Sequence, residues 1–200
     1  SEMCIRDRPS GANRLPPIQK RVPIQTRAST DADLPGVLAI HRAAFPDESV
    51  ADLTATLMSD PSARPLTSLL AMSEGKPVGH VLFTAARFVP ATAHRASILA
   101  PLAVAPAWQR RGIGTELVSR GLTIQAQSGV NLGVVRGHPD YYPRFGIAPA
   151  GERGFSAPYP RSEQQAAAWM VLALDGGLPT AYRGSVQCAK ALDCPEHWLE

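Results

Sequence analysis

Hydrophobic and polar positions along the chain switch between a period near 3.6 and a period near 2, and the switches mark out the elements. Val22 to Thr26 reads as an opening strand. Ser29-Thr30-Asp31 then offers helix caps, with Asp33 three residues after Thr30 and Pro35 in the first turn, ahead of Leu34, Val37, Leu38, Ile40, Ala44 and Phe45 at helical spacing. His41 lies on the inner edge of this helix and reads as a packing histidine. A second helix carries Val50, Leu53, Leu57 and Met58 and stops before Pro61. Ser68–Ser73 and Pro77–Val89 are β-rich runs joined by Glu74-Gly75-Lys76, which is hairpin chemistry, with Gly79 as a candidate bulge. The next strand, Ala96 to Val104, contains Pro101, which has no N–H for a ladder and so predicts an edge or a bulge. Where a strand stops pairing, its free main-chain groups can hold an extended amide ligand as a substitute strand.

That strand runs through Pro106 into a helix start at Gly112-Ile113-Gly114, followed by an amphipathic helix. Ile113, Leu117, Val118, Gly121, Leu122 and Ile124 lie on one side, and Arg110, Glu116, Arg120 and Gln127 towards water. Asn131 to Gly137 reads as a buried strand, and Gly137 to Ile147 as a turn or short helix started by Pro139 and stopped by Gly146. Ala166 to Leu174 is a further strand and Arg183 to Ala189 a last short one. Residues 191–200 carry no readable pattern and are taken as a C-terminal extension to a domain spanning 22–190. Strands interleaved with helices give an α/β (α+β) fold, and no repeat is present.

The strand-to-helix junction is where chemistry enters. The first turn of a helix leaves about four N–H groups without intrahelical partners and carries roughly half a positive charge, which makes it an anion site. Gly112 and Gly114 remove two side chains where a pyrophosphate would lie against the main chain, and Arg110 and Arg111 add charge beside it. A Walker A loop would need Lys and then Ser or Thr after its second glycine, and Ile and Gly-Thr stand there instead. A dinucleotide fingerprint would need a third glycine where Leu117 stands.

Gln109-x-x-Gly112-x-Gly114 after Leu102-Ala-Val-Ala-Pro106 resembles the acyl-coenzyme A signature of the GNAT superfamily of N-acetyltransferases. Tyr141-Tyr142-Pro-Arg-Phe-Gly146-Ile147 resembles the segment after the fifth strand in that superfamily, with Ile as the final residue. The run Gly137 to Ile147 is more similar still to a bacterial subgroup of predicted N-acetyltransferases, which usually has Asp where His138 stands. The resemblance covers residues 22–190. It implies a mixed, mostly antiparallel sheet splayed between strands 4 and 5, with helices on both faces and acetyl-CoA as cosubstrate. By the same resemblance, Leu102 and Val104 would pair with the pantetheine amides and Gln109, Arg110, Arg111, Gly112, Ile113, Gly114 and Thr115 would hold the pyrophosphate. The N–H of Leu102 or Ala103 would serve an oxyanion. Tyr142 would protonate the departing thiolate as an amine attacks the thioester directly; a phenol with pKa near 10 suits that task. The expected fourth strand contains no carboxylate, so the base is open between His94, Ser97, His138, Asp140 and water. That gap motivates a second reading, a non-catalytic acyl-CoA sensor or interaction domain. Trp108, Tyr141 and Phe145 read as core or rim aromatics, and Arg144 as either a surface charge or a contact to the 3′-phosphate of the cofactor.

Charge and cysteine usage narrow the partners. The chain holds 20 basic and 17 acidic residues, and residues 1–21 contain five basic and two acidic ones, leaving 15 of each sign beyond. A neutral body argues against an extended nucleic-acid or anionic-membrane face. The longest apolar run, Ala166 to Leu174, is far short of the roughly 20 residues that span a bilayer. Cys4, Cys188 and Cys194 are too scattered for a disulfide framework or a metal site, so a reducing, cytoplasmic setting is expected. Residues 1–21 have no apolar core of a secretory signal and read as a disordered tail. Their opening Ser-Glu-Met-Cys-Ile-Arg-Asp-Arg resembles translated adapter sequence, which would put the native start later. The acceptor is expected to be a small-molecule or peptide amine, with specificity in loops Pro46–Val50, Val89–Arg95 and Gly151–Gln165, on a monomer or homodimer.

Overall fold

In the computed structural model, which describes residues 23–159, 166–177 and 183–198, one sheet carries the site. Strands β1 (Ile24–Ala28), β2 (Thr67–Ser73), β3 (Lys76–Val89), β4 (Ala96–Val104), β5 (Leu132–Arg136), β6 (Ala148–Pro149) and β8 (Trp169–Ala173) lie in the order β1-β2-β3-β4-β5-β8-β6. A small annex of β7 (Phe155–Ser156) and β9 (Gly184–Gln187) pairs with the end of β3. All neighbours in the main sheet are antiparallel except β4 and β5. The 1–21 tail and Val22 lie outside the described residues. The opening strand starts at Ile24, two residues later than the polar pattern suggests.

Alternation along the strands sorts the core onto two faces. Leu69, Ala71, Val81, Phe83, Leu99 and Val135 meet helix α3 (Ile113–Gln127). On the opposite face Leu70 and Ala103 meet α1 (Leu34–Ala44), while Leu82, Ile98 and Val134 lie in the cluster that includes Leu57 of α2 (Ser49–Ser59). The cap expected at Thr30 is there, as a reciprocal box with Asp33 on a 3-10 turn that leads into α1.

Close approach of α3 to the sheet is set by two bare positions. A Cβ on Gly79 would stand 2.8 Å from the Ile113 side chain, and one on Gly121 would overlap the Phe83 ring. Gly79 is thus needed for helix packing, and the bulge beside it falls at Val78, where the register shifts between Ala71 and Met72. The turn after β5 is a 3-10 helix, Tyr142–Phe145, opened by Pro143 and not by the expected Pro139. Within the C-terminal extension, Leu192 and Trp198 are buried in the same core as Leu57 and Trp169.

His41 of α1 and His80 of β3 are both fully buried and bonded ring to ring, Nε2 to Nδ1, at 2.9 Å. His80 Nε2 bonds the Ser68 hydroxyl at 2.8 Å, and that hydroxyl bonds Ser29. Burial lowers the His41 pKa to about 4; burial, with His41 beside it, lowers that of His80 to about 3. The unfolded chain takes up these protons near 6.5 and the folded chain refuses them, so the stabilisation is complete above pH 6.5 and is lost as pH falls towards 4. Between pH 6.5 and pH 5 the expected loss is about 2 kcal/mol per imidazole. Urea midpoints measured across that window test this: a flat profile would exclude the neutral buried pair, and His80→Asn should flatten the slope.

Candidate functional site

The site begins where two parallel strands part. β4 and β5 pair only from Ala96 opposite Leu132 to Leu99 opposite Val135. Beyond Leu99 the β3–β4 register shifts, so that Ala100 and Pro101 form a bulge opposite Leu82. β5 instead follows β8 through Arg136 opposite Trp169 and the Gly137 N–H donating to the Ala168 carbonyl at 3.0 Å. A wedge opens between them. The Ala105 N–H donates to the Val78 carbonyl at 2.9 Å, which fixes the phase of the β3–β4 ladder. Since alternate residues exchange bonds in an antiparallel pair, Ala103 turns its main chain to His80, while Leu102 and Val104 turn theirs into the wedge. Of the two oxyanion donors considered, Ala103 is therefore spent inside the sheet and Leu102 is the one that faces open space. The Val104 carbonyl accepts from Gln109 Nε2 at 3.1 Å, which ties the loop back onto the strand.

At the mouth of α3 the two glycines have different causes. Gly112 caps the helix with φ +83°, and a Cβ there would meet nothing within 4 Å, so the backbone conformation demands glycine. Gly114 has ordinary helical geometry, but its Cβ would lie 2.7 Å from the Tyr141 hydroxyl. It is bare because an aromatic side chain packs over it. Arg110 also adopts a left-handed backbone, φ +60°, unusual for a non-glycine residue, at the cavity rim. The Arg111 guanidinium stacks over Trp108, 4.8 Å from the ring centroid, and Arg111 does not line the cavity.

The Tyr142–Phe145 turn lies against the same mouth. Tyr142 is buried, edge-on to Tyr141 at 5.0 Å, and its ring fills the space over Gly137, where a Cβ would overlap it. Burial, with Tyr141 adding, raises its pKa well above the ordinary phenol value, so it stays protonated through neutral pH. Arg144 lies over Tyr141 at 4.5 Å, donates from Nε to the Tyr141 carbonyl at 2.7 Å, and lines the cavity.

One cavity of about 840 Å³ takes in all of this. It passes through the wedge from the α3 face to the α2 face. Leu102, Val104, Gln109, Arg110, Gly112, Ile113, Gly114, Thr115 and Tyr142 line it, and Ala103 and Arg111 do not. Of the base candidates only His138 lines it; His94 and Asp140 stand outside, and Ser97 is buried in the sheet with an unpartnered hydroxyl. Among the described residues of the expected specificity loops, Asp47, Ser49 and Val50 of Pro46–Val50 line it. Phe45, Leu53, Arg136, Leu192, Glu196, His197 and Trp198 were missed by sequence reasoning. Leu53 had a signal, its helical spacing, but the C-terminal four had none. Among the described residues no group of three or more His, Cys, Asp or Glu side chains is arranged to hold a metal, and no helix is long and apolar enough to cross a membrane.

The model of the acetyltransferase (GNAT) family matches residues 34–142. The chain is 42% identical over 160 residues, 79% of its length and 88% of the relative's, to a protein of Escherichia coli described as uncharacterized N-acetyltransferase YjhQ. Among solved structures it is similar to the GNAT family N-acetyltransferase YhbS of Escherichia coli in complex with CoA. There the TM-score is 0.79 at 24% identity, covering 86% of this chain and 93% of that one. A GNAT family acetyltransferase of Brucella melitensis in complex with acetyl-CoA gives a TM-score of 0.68 at 24% identity, covering 85% and 98%. These two share the fold.

The Gly137–Tyr142 contact makes a prediction that needs no activity assay. Gly137→Ala should displace the buried ring at a cost of about 1 to 3 kcal/mol. Thermal melting together with near-UV circular dichroism checks it: an unshifted melt with an unchanged tyrosine signal would mean the ring is not held there.

Proposed function

The chain belongs to the GNAT family of acetyltransferases, and from that membership we propose that it moves the acetyl group of acetyl-CoA to a primary amine by direct attack within the wedge. The observation that carries this reading is the main chain of Leu102 and Val104 facing an open gap beside a glycine-capped helix mouth. Acetyl-CoA, the family's cosubstrate, supplies an acetyl group already activated as a thioester.

The residues present suit it. An extended arm with amide groups fits along Leu102 and Val104 as a missing strand would. The unpaired N–H groups of Ile113, Gly114 and Thr115, with Arg110 at the rim, suit a diphosphate. The Leu102 N–H supports the carbonyl oxygen as it gains charge. Tyr142, held protonated by burial, gives its proton to the departing sulfur and is reprotonated from solvent, while the attacking nitrogen gives up its proton to water or to His138. Because the amine attacks the thioester directly, no protein nucleophile takes part. The free thiols Cys188 and Cys194 are consistent with a reducing, cytoplasmic setting; burial pushes the Cys188 thiol up to about 12, and neither lines the cavity. The sensor alternative drew its force from a strand without a carboxylate, and Asp47 and Glu196 on the cavity wall weaken that motive.

Calorimetry with acetyl-CoA should show binding to the folded protein, and Gly112→Val should weaken it at least tenfold, since a β-branched residue resists a left-handed backbone. Thiol release in the presence of amines should accompany that binding. Binding without release from any amine would leave only the sensor.

Tyr142→Phe should spare acetyl-CoA affinity and slow turnover about a hundredfold. In the wild type the tyrosine should impose no alkaline decline below pH 10, because its pKa is raised. An unchanged rate in Tyr142→Phe would remove the tyrosine from the reaction.

A further inference from the structure

The end of the cavity away from the helix mouth is built largely by the C-terminal turn. This turn is fixed from three sides. The Lys190 and Ala191 N–H groups donate to Ser62 Oγ and Asp60 Oδ2 at 2.8 and 2.9 Å, Trp198 Nε1 donates to the Leu192 carbonyl at 2.8 Å, and Arg136 donates to the His197 carbonyl at 2.7 Å. Trp198 is buried against Trp169, ring centroids 5.6 Å apart. The 3-10 helix Pro195–His197 is thereby held against the wedge, and Glu196 lines the cavity from it.

On the α3 face the charged lining residues are Arg110 and Arg144; the other end holds the carboxylates Asp47 and Glu196 together with Arg136, whose guanidinium donates to the His197 carbonyl. Asp47 is already engaged, accepting from the Ser49 N–H and hydroxyl at 2.8 and 2.6 Å, bonds that lower its pKa. Glu196 forms no ion pair among the described residues. Val50, Leu53, Leu192 and Trp198 supply apolar wall at that end, alongside the imidazoles of His138 and His197. A carboxylate beside these apolar side chains, with the Arg136 guanidinium committed to the His197 carbonyl, favours a cation carried on an apolar body and disfavours an acceptor that brings its own carboxylate.

We infer that the acceptor is a small cationic amine with an apolar body, and that Glu196 selects it by pairing with its ammonium group before the proton is shed. This rests on the acetyl-transfer reading above. Its test is thiol release from acetyl-CoA with phenethylamine, phenylalanine and a peptide with a free N-terminus as acceptors. Phenethylamine and phenylalanine differ only by a carboxylate.

Phenethylamine should exceed the other two at least tenfold in kcat/KM. Glu196→Gln should raise its KM about tenfold while kcat changes little and calorimetry shows acetyl-CoA affinity retained. Glu196 is exposed, so the variant tests recognition and not folding. Phenylalanine or the peptide matching phenethylamine, or an unchanged KM in Glu196→Gln, would overturn this acceptor class and leave acetyl transfer standing. Absence of thiol release with all three would overturn both.

Discussion

The parting of β4 and β5 after four paired residues is the constraint on which the molecule depends. A sheet interior normally satisfies every main-chain group, and an unpaired one costs as much as a lost hydrogen bond. Here the cost is concentrated at Leu102 and Val104, whose outward groups face a cavity and not a neighbouring strand. The bulge at Ala100 and Pro101 keeps β4 attached to β3 while it bends away, and β8 keeps β5 in place on the other side. The cofactor end of the site is positioned by the two diverging strands: α3 follows β4, and the tyrosine turn follows β5.

Much of this was legible in the chain because it is local. Pro101 announces the broken ladder, Gly112 the left-handed cap, and the spacing of Ile113, Leu117 and Val118 the packed face of α3. The topology and splay expected from the family resemblance are those found. Local pattern was silent on other contacts. A side chain on Gly114 would meet the Tyr141 hydroxyl, and Arg111 is stacked on Trp108, neighbours that no spacing rule encodes. Ladder phase, which separates Ala103 from its neighbours, depends on register with β3 and is equally invisible in a single strand.

The C-terminal wall shows the limit most plainly. Trp198, Leu192 and Glu196 lie in a segment with neither helical nor strand periodicity, and it is held by partners far off in the chain, at Asp60, Ser62 and Arg136. Only the burial of Trp198 beside Trp169 reveals that the segment belongs to the core. The buried His41–His80 pair was half visible. The helical pattern placed His41 on the inner edge, but its partner on β3 is 39 residues away.

The bare positions at Gly79 and Gly121 bear on more than packing density. Each seats a neighbouring side chain, Ile113 at one end of α3 and Phe83 further along, so the helix is keyed to the sheet twice and cannot slide or roll without collision. A mouth locked in this way is already oriented before anything arrives. The entropy that a mobile loop would forfeit on closing is spent during folding, and a ligand binds without that added loss.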